Sequence, residues 1–244
     1  MFNPFKINRK KVETKERKRK FGKELDFASV EAYNLLRTNL YFSLADVVGG
    51  KVVGVTSPCP QEGKSTTSLN LAYALAAAGH KVVLIDSDMR RPSLASVLEM
   101  PLSPGLSNLL VDENADAIHS SVVHENLSVL LAGDIPPNPS ELIVSDKMKA
   151  LIERLRSSYD YVVVDLPPVN LVSDPIMMSR HLDGMVVIVR HGYTRRRDVN
   201  DTVRSLKLVN AKILGFVYNG AKTAKKRYRK SNYYHYSYYT SNKS

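Results

Sequence analysis

Six short runs rich in Val, Ile and Leu dominate the chain: KVVGVTS at 51–57, KVVLID at 81–86, LSVLLA at 127–132, DYVVVD at 160–165, GMVVIVR at 184–190 and KILGFVY at 212–218. Several are continuous rather than alternating, the pattern of strands covered on both faces by helices. Helical stretches fit between them over 64–79, about 92–99, 139–158, 175–182 and 196–209. Alternation of this kind implies a parallel sheet with right-handed crossovers. Ahead of the first run, Val30, Tyr33, Leu36, Leu40 and Leu44 recur at helical steps, which predicts a helix over 29–44 with Ser29 as its cap and Glu31 in its first turn. The expected fold is one α/β domain, 26–221, with a doubly wound, mostly parallel sheet.

Charge sets the two ends apart from this body. Residues 1–23 carry ten Lys/Arg against Glu13 and Glu16, a balance of +8, and residues 222–244 carry seven Lys/Arg and no acid. With +11 overall, 24–221 is left at −4, a mildly acidic globule between two basic segments. The expected organisation is a flexible basic leader over 1–25 and a flexible tail over 222–244. Such segments suit an anionic partner: phospholipid, nucleic acid or an acidic protein surface. The tail also holds Tyr228, Tyr233, Tyr234, Tyr236, Tyr238 and Tyr239 with no Leu, Ile, Val or Phe to pack them. The single cysteine, Cys59, excludes a disulfide framework and a cysteine-ligated metal. With no long apolar run and no signal-peptide pattern, the expected compartment is the cytoplasm.

The first strand leads into TSPCPQEGKSTT at 56–67. Gly63, Lys64 and Ser65 close a loop between a strand and a helix, the context in which backbone N–H groups cradle phosphate. Lys64 can reach the β- and γ-phosphates, and the Ser65 hydroxyl can ligate Mg²⁺. The usual first glycine of such a loop is replaced by Pro58. Two more strands end in acid: Asp86 and Asp88 in VVLIDSDMRRP, and Asp165 in VVVDLPP. Ligands of open α/β sheets bind beyond the carboxyl ends of strands, so a phosphate loop and three aspartates on one edge predict a metal–nucleotide site.

With these motifs, together with PPNPSEL at 136–142 and the tyrosine cluster, the chain resembles the P-loop tyrosine kinases of bacterial capsule and exopolysaccharide synthesis, in their stand-alone cytoplasmic form. The resemblance covers about residues 26–239. It implies an autophosphorylating protein-tyrosine kinase using ATP and Mg²⁺. Gly63, Lys64, Ser65 and Thr66 would hold the nucleotide, and Ser65, Asp86, Asp88 and Asp165 the metal. Lys64 and the three aspartates would be catalytic, Asp86 accepting the tyrosine proton or helping to hold the metal, Asp165 orienting metal-bound water. Asn219 would recognise adenine, and the six tail tyrosines would be the acceptors, between neighbouring subunits.

The resemblance further implies a transmembrane adaptor that activates the kinase and holds it at the inner face of the membrane, a homo-oligomer that can be ring-shaped, and a cognate tyrosine phosphatase, with no specific nucleic acid. In the family's Glu-x-x-Arg-x-x-Arg helix pattern this chain has Glu31, Asn34 and Arg37; one arginine is missing, and the remaining pair is the candidate oligomer contact. The alternative is a positioning ATPase of the same fold that binds membrane or DNA. Those proteins usually carry a lysine where this chain has Cys59, and they lack a tyrosine-rich tail.

Overall fold

A computed structural model of the protein describes residues 21–221. The six tail tyrosines and most of the basic leader lie outside the described residues. Within 21–221 the chain runs α1 (Phe27–Ser43), β1 (Lys51–Thr56), α2 (Lys64–Ala76), β2 (Val82–Asp86), α3 (Leu94–Leu98), α4 (Leu106–Val111), β3 (Ile118–His119) and β4 (Leu127–Leu130). It continues as α5 (Pro139–Val144), α6 (Asp146–Ser158), β5 (Tyr161–Asp165), α7 (Asp174–Met178), β6 (Gly184–Arg190), α8 (Arg196–Leu208) and β7 (Ile213–Asn219).

The strands form one sheet in the order β3-β4-β2-β5-β1-β6-β7. Every pairing is parallel except β3 with β4. Because successive strand residues point to opposite faces, the continuous apolar runs serve two cores at once. Val52, Val83, Ile85, Val162, Val164 and Val187 pack against α4 to α8, while Val53, Val55, Val82, Leu84, Val163 and Ile188 pack against α1, α2 and α3. After β1 the chain crosses to β2 on one side, and after β5 it crosses to β6 on the other. The carboxyl ends of the β1–β5 pair therefore form the switch-point crevice where open sheets bind ligands.

All six expected strands are present within a residue or two, but several helical expectations change. Helix α1 starts earlier: Asp26, not Ser29, is its cap, its carboxylate accepting the Ser29 N–H at 2.8 Å. Glu31 consequently lies beyond the first turn. The stretch 139–158 is two helices, because Ser145 is extended and its hydroxyl caps α6 by accepting the Met148 N–H. Helix α2 stops at Ala76, short of the expected 79. Helix α7 ends at Met178 and continues only as a tighter 3-10 turn, Ser179–His181. Helix α4 and the two-residue β3 had no expectation. Gly22–Glu24 forms a 3-10 turn inside the stretch read as leader, the Gly22 N–H donating to Asn70 of α2 at 3.0 Å.

Gly50, just before β1, is buried against the end of α6. A Cβ there would collide with the Arg156 and Tyr159 carbonyl oxygens, backbone that has little room to move. The Arg156 guanidinium also donates to the Gly50 carbonyl at 3.0 Å and to Asp183 at 2.9 Å, locking the β1 entrance to α6 and β6. Overpacking of this kind costs ~1–3 kcal/mol. Gly50→Ala should therefore lower the urea midpoint by a corresponding amount; an unchanged midpoint would show that the junction yields freely.

Candidate functional site

Parallel register brings the acids together. Asp86 pairs directly with Asp165 across β2 and β5, and Asp165 pairs with Val55 of β1, one residue before the strand gives way to the loop. Both aspartates are fully buried, and Asp88 is nearly so. The carboxylate of Asp86 accepts N–H bonds from Asp88 at 3.1 Å, Ser93 at 3.3 Å and Leu94 at 3.2 Å. It thus shapes the loop between β2 and α3, a task the sequence did not suggest. Asp88 accepts from the Arg91 N–H at 3.0 Å. Asp165 Oδ1 accepts from the Ser68 hydroxyl at 2.9 Å. Its Oδ2 is buried and has no hydrogen-bond partner among the described residues.

Two like charges in a dry place resist ionisation. Burial, then the neighbouring Asp165, pushes Asp86 up to about 8. Burial pushes Asp165 up to about 6 against the pull of Lys64 and the Ser65 and Ser68 hydroxyls. Asp88 is also raised by burial, with the Arg91 N–H and Lys64 opposing. An orphaned carboxylate oxygen beneath a phosphate loop, with oxygen donors around it, suits a hard cation such as Mg²⁺. Among the described residues no three acidic, His or Cys side chains gather into a ready-made cage.

The loop itself is braced from behind. Gly63 caps α2 with φ of 95°, a left-handed conformation, and a Cβ there would strike the Asn219 side chain. Asn219, at the end of β7, donates to the Glu62 carbonyl at 2.8 Å, so it reaches the loop's backbone. Glu62 is fully buried; one carboxylate oxygen accepts the Cys59 N–H at 2.7 Å and the other the Thr194 hydroxyl. Arg190 donates to the Gln61 carbonyl at 2.7 Å. Pro58, in place of the usual glycine, is accommodated, its carbonyl accepting from the Asn170 N–H at 3.3 Å.

Above the loop lies a cleft of about 820 Å³ lined by Gly63, Lys64, Ser65, Thr66, Asp88 and Arg90 among others. Asp86 and Asp165 sit beneath it. The Ser93 hydroxyl donates to Ser65 at 2.7 Å. Arg90 is clamped by Asp174, 1% exposed, through bonds of 2.8 and 3.2 Å, and Ser140 of the PPNPSEL stretch bonds to both.

Sequence reasoning missed Glu62, Ser68, Ser93, Asp174 and Arg190. Of these, Ser93, just ahead of α3, and Asp174, in the Ser-Asp-Pro opening of α7, carried a recognisable helix-start signal. The candidate oligomer pair is separate from this site: Glu31 accepts from Asn34 of its own helix at 3.0 Å, and Arg37 donates to the Ala74 carbonyl of α2 at 3.0 Å. Among the described residues no helix is long and apolar enough to cross a membrane.

A family model described as an AAA domain matches residues 60–213. The chain is 37% identical over 197 residues to the tyrosine-protein kinase YwqD of Bacillus subtilis strain 168, covering 80% of this chain and 82% of that one. Among solved structures it is similar to the chimerical protein CapA2B2, with a TM-score of 0.75 and 36% identity over 79% of this chain and 85% of that one. It is also similar to the kinase domain of the Escherichia coli tyrosine kinase ETK, with a TM-score of 0.74 and 32% identity over 80% of this chain and 77% of that one.

The buried acids make a pH prediction. The folded-state value of Asp86, about 8, lies above its ordinary 3.8, so the folded protein holds a proton that the unfolded chain releases. This stabilisation is complete below the ordinary value and is lost as pH rises towards 8. The ligand-free protein should therefore unfold at lower urea at pH 8 than at pH 5.5. Asp86→Asn should flatten that dependence, and a variant with the wild-type slope would show that the pair does not share its burden.

Proposed function

Because the chain belongs to the P-loop tyrosine-protein kinases of bacteria, we propose that it transfers the γ-phosphate of ATP to tyrosines of its own C-terminal cluster, in trans, within capsule or exopolysaccharide synthesis. The observation that carries this reading is the Asp86–Asp165 pair lying directly beneath the phosphate loop, in register with the strand that feeds it.

Phosphoryl transfer asks the protein mainly for positioning and charge neutralisation. The N-terminus of α2 and Lys64 would hold the phosphates, with Thr66 at the same helix end. Ser65 and the unpartnered carboxylate oxygen of Asp165 would hold Mg²⁺, with Asp86 bonded to the backbone of the loop beside them. Such an ion would supply neutralisation of phosphate charge and would lower the proton affinity of the acids around it. A tyrosine hydroxyl is neutral at pH 7, with a pKa of about 10, and has to lose its proton as it attacks. Asp88 lines the cleft whereas Asp86 lies beneath it, which favours Asp88 as the proton acceptor. Asn219, already bonded to the loop, would sense the adenine end.

The surface of α1 supports self-association. Phe27 and Phe42 are 77% and 71% exposed, on the helix that also carries Glu31 and Arg37. A transmembrane adaptor would bring the protein to the inner face of the membrane, and a phosphatase would reset the tail.

Mass spectrometry after incubation with Mg-ATP, with and without the adaptor's cytoplasmic segment, tests the reading. Phosphate should appear on Tyr228–Tyr239 in the wild type and fall at least ~100-fold in Lys64→Ala, the scale of losing a transition-state charge contact. ATP hydrolysis with an unmodified tail under both conditions would replace this function with a positioning ATPase.

A further inference from the structure

A second groove, of about 570 Å³, lies between α4 and the segment that leads into α5. Its floor is apolar. Pro136 and Pro137 line it together with Val111 and Ile135, which are 71% and 61% exposed. Its rim carries Asp112 and Asp134. The two chain segments that build it, 104–118 and 134–142, contain five acids and no Lys or Arg. Among the described residues, Lys147 of α6 bonds there, donating to the Val111 carbonyl at 3.0 Å.

The walls are preformed. The Asn108 amide donates to the Asp134 carboxylate at 2.7 Å, its oxygen accepts the Gly105 and Asp134 N–H groups, and the Ser107 hydroxyl donates to the Asp134 carbonyl at 2.6 Å. An occupant would therefore meet little ordering penalty on the groove's side. The groove is tied to the nucleotide cleft through the chain that lines it. The strand of chain from Asp134 to Pro137 runs directly to Ser140, whose hydroxyl holds Arg90 of the cleft at 2.8 Å.

We infer that this groove docks the segment 222–244 of a second copy of the chain and presents its tyrosines to the nucleotide cleft. The match is chemical on both counts. That segment has a charge of +7 against an acidic rim, and six tyrosines with no aliphatic Leu, Ile or Val against a floor of prolines and exposed aliphatic side chains. Proline and aromatic surfaces pair well elsewhere, as when aromatic-lined grooves take proline-rich segments. Rim charges steer the approach and set its salt dependence. Twenty-three residues can span up to ~80 Å, so a neighbouring molecule is within reach. The inference rests on the kinase reading for its purpose, but docking itself needs no nucleotide.

Cross-linking separates the two. Full-length chain carrying Val111→p-benzoylphenylalanine, a change at an exposed position, would be mixed with ¹⁵N-labelled wild type without ATP and irradiated. Heavy peptides from 222–244 should be joined to the light groove residue. Cross-links to another segment, to the light chain's own tail alone, or to nothing would overturn the inference, whatever phosphotyrosine the protein makes. Conversely, the expected cross-link without phosphotyrosine would uphold docking and remove only the kinase reading. As a second arm, Ile135→Lys should raise KM for a 222–244 peptide about tenfold, equivalent to ~1.4 kcal/mol, leaving kcat and the KM for ATP unchanged. An unaltered peptide KM would again overturn it.

Discussion

Two carboxylates lie side by side at the ends of neighbouring buried strands, and the layout of the site follows from their pairing. Asp86 and Asp165 are in register across β2 and β5. That register is held because the strands are packed with Val and Ile on both faces, so a slip by one residue would move every side chain from one core into the other. The sheet thus forces together two acids that repel, and neighbouring groups make the arrangement tolerable. Three backbone N–H groups satisfy Asp86, Ser68 satisfies one oxygen of Asp165, and Lys64 draws its proton affinity down. The remaining oxygen of Asp165 has no partner among the described residues, which is where a cation would relieve both acids.

The phosphate loop depends on a second buried acid that works in a different way. Glu62 has no part in the charge cluster; it accepts from Cys59 within the loop and from Thr194 beyond β6. Its own carbonyl accepts from Asn219 at the end of β7. The loop is consequently fastened to both strands on the far side of β1. A disturbance at the β6–β7 edge would reach the phosphate cradle through two hydrogen bonds rather than through the whole core. This gives a physical route by which a partner bound outside the cleft could tune the site.

The sequence made the body of the fold legible for a simple reason: continuous Val/Ile/Leu runs ending in Asp have few alternatives to buried parallel strands. Lys64, Ser65, Thr66, Asp88 and Asn219 stand where strand ends and the helix start put them, together around the loop. What it hid were contacts set by register and by long-range closure. Nothing local in Gln61-Glu62-Gly63 tells a buried brace from a solvated loop acid. Nothing in Arg90 announces that a buried Asp174, 84 residues on, will clamp it. Helix boundaries failed where side-chain caps compete: Asp26 outbid Ser29 because its carboxylate reaches the Ser29 N–H, and Ser145 split a stretch whose hydrophobic period was unbroken.

Charge gives docking and catalysis a common sign. The tail's +7 favours an acidic groove before transfer. Each phosphate adds about −1.5 to −2, so modification of all six tyrosines would take the segment to between about −2 and −5. A tail that is attracted as substrate would then be repelled as product by the same Asp112 and Asp134 rim. Release would need no conformational change in the groove, and each successive phosphate would loosen the tail further. The mildly acidic body and the basic ends are, on this account, two halves of one electrostatic cycle. The charge asymmetry visible in the sequence is then a constraint on turnover as well as on partner choice.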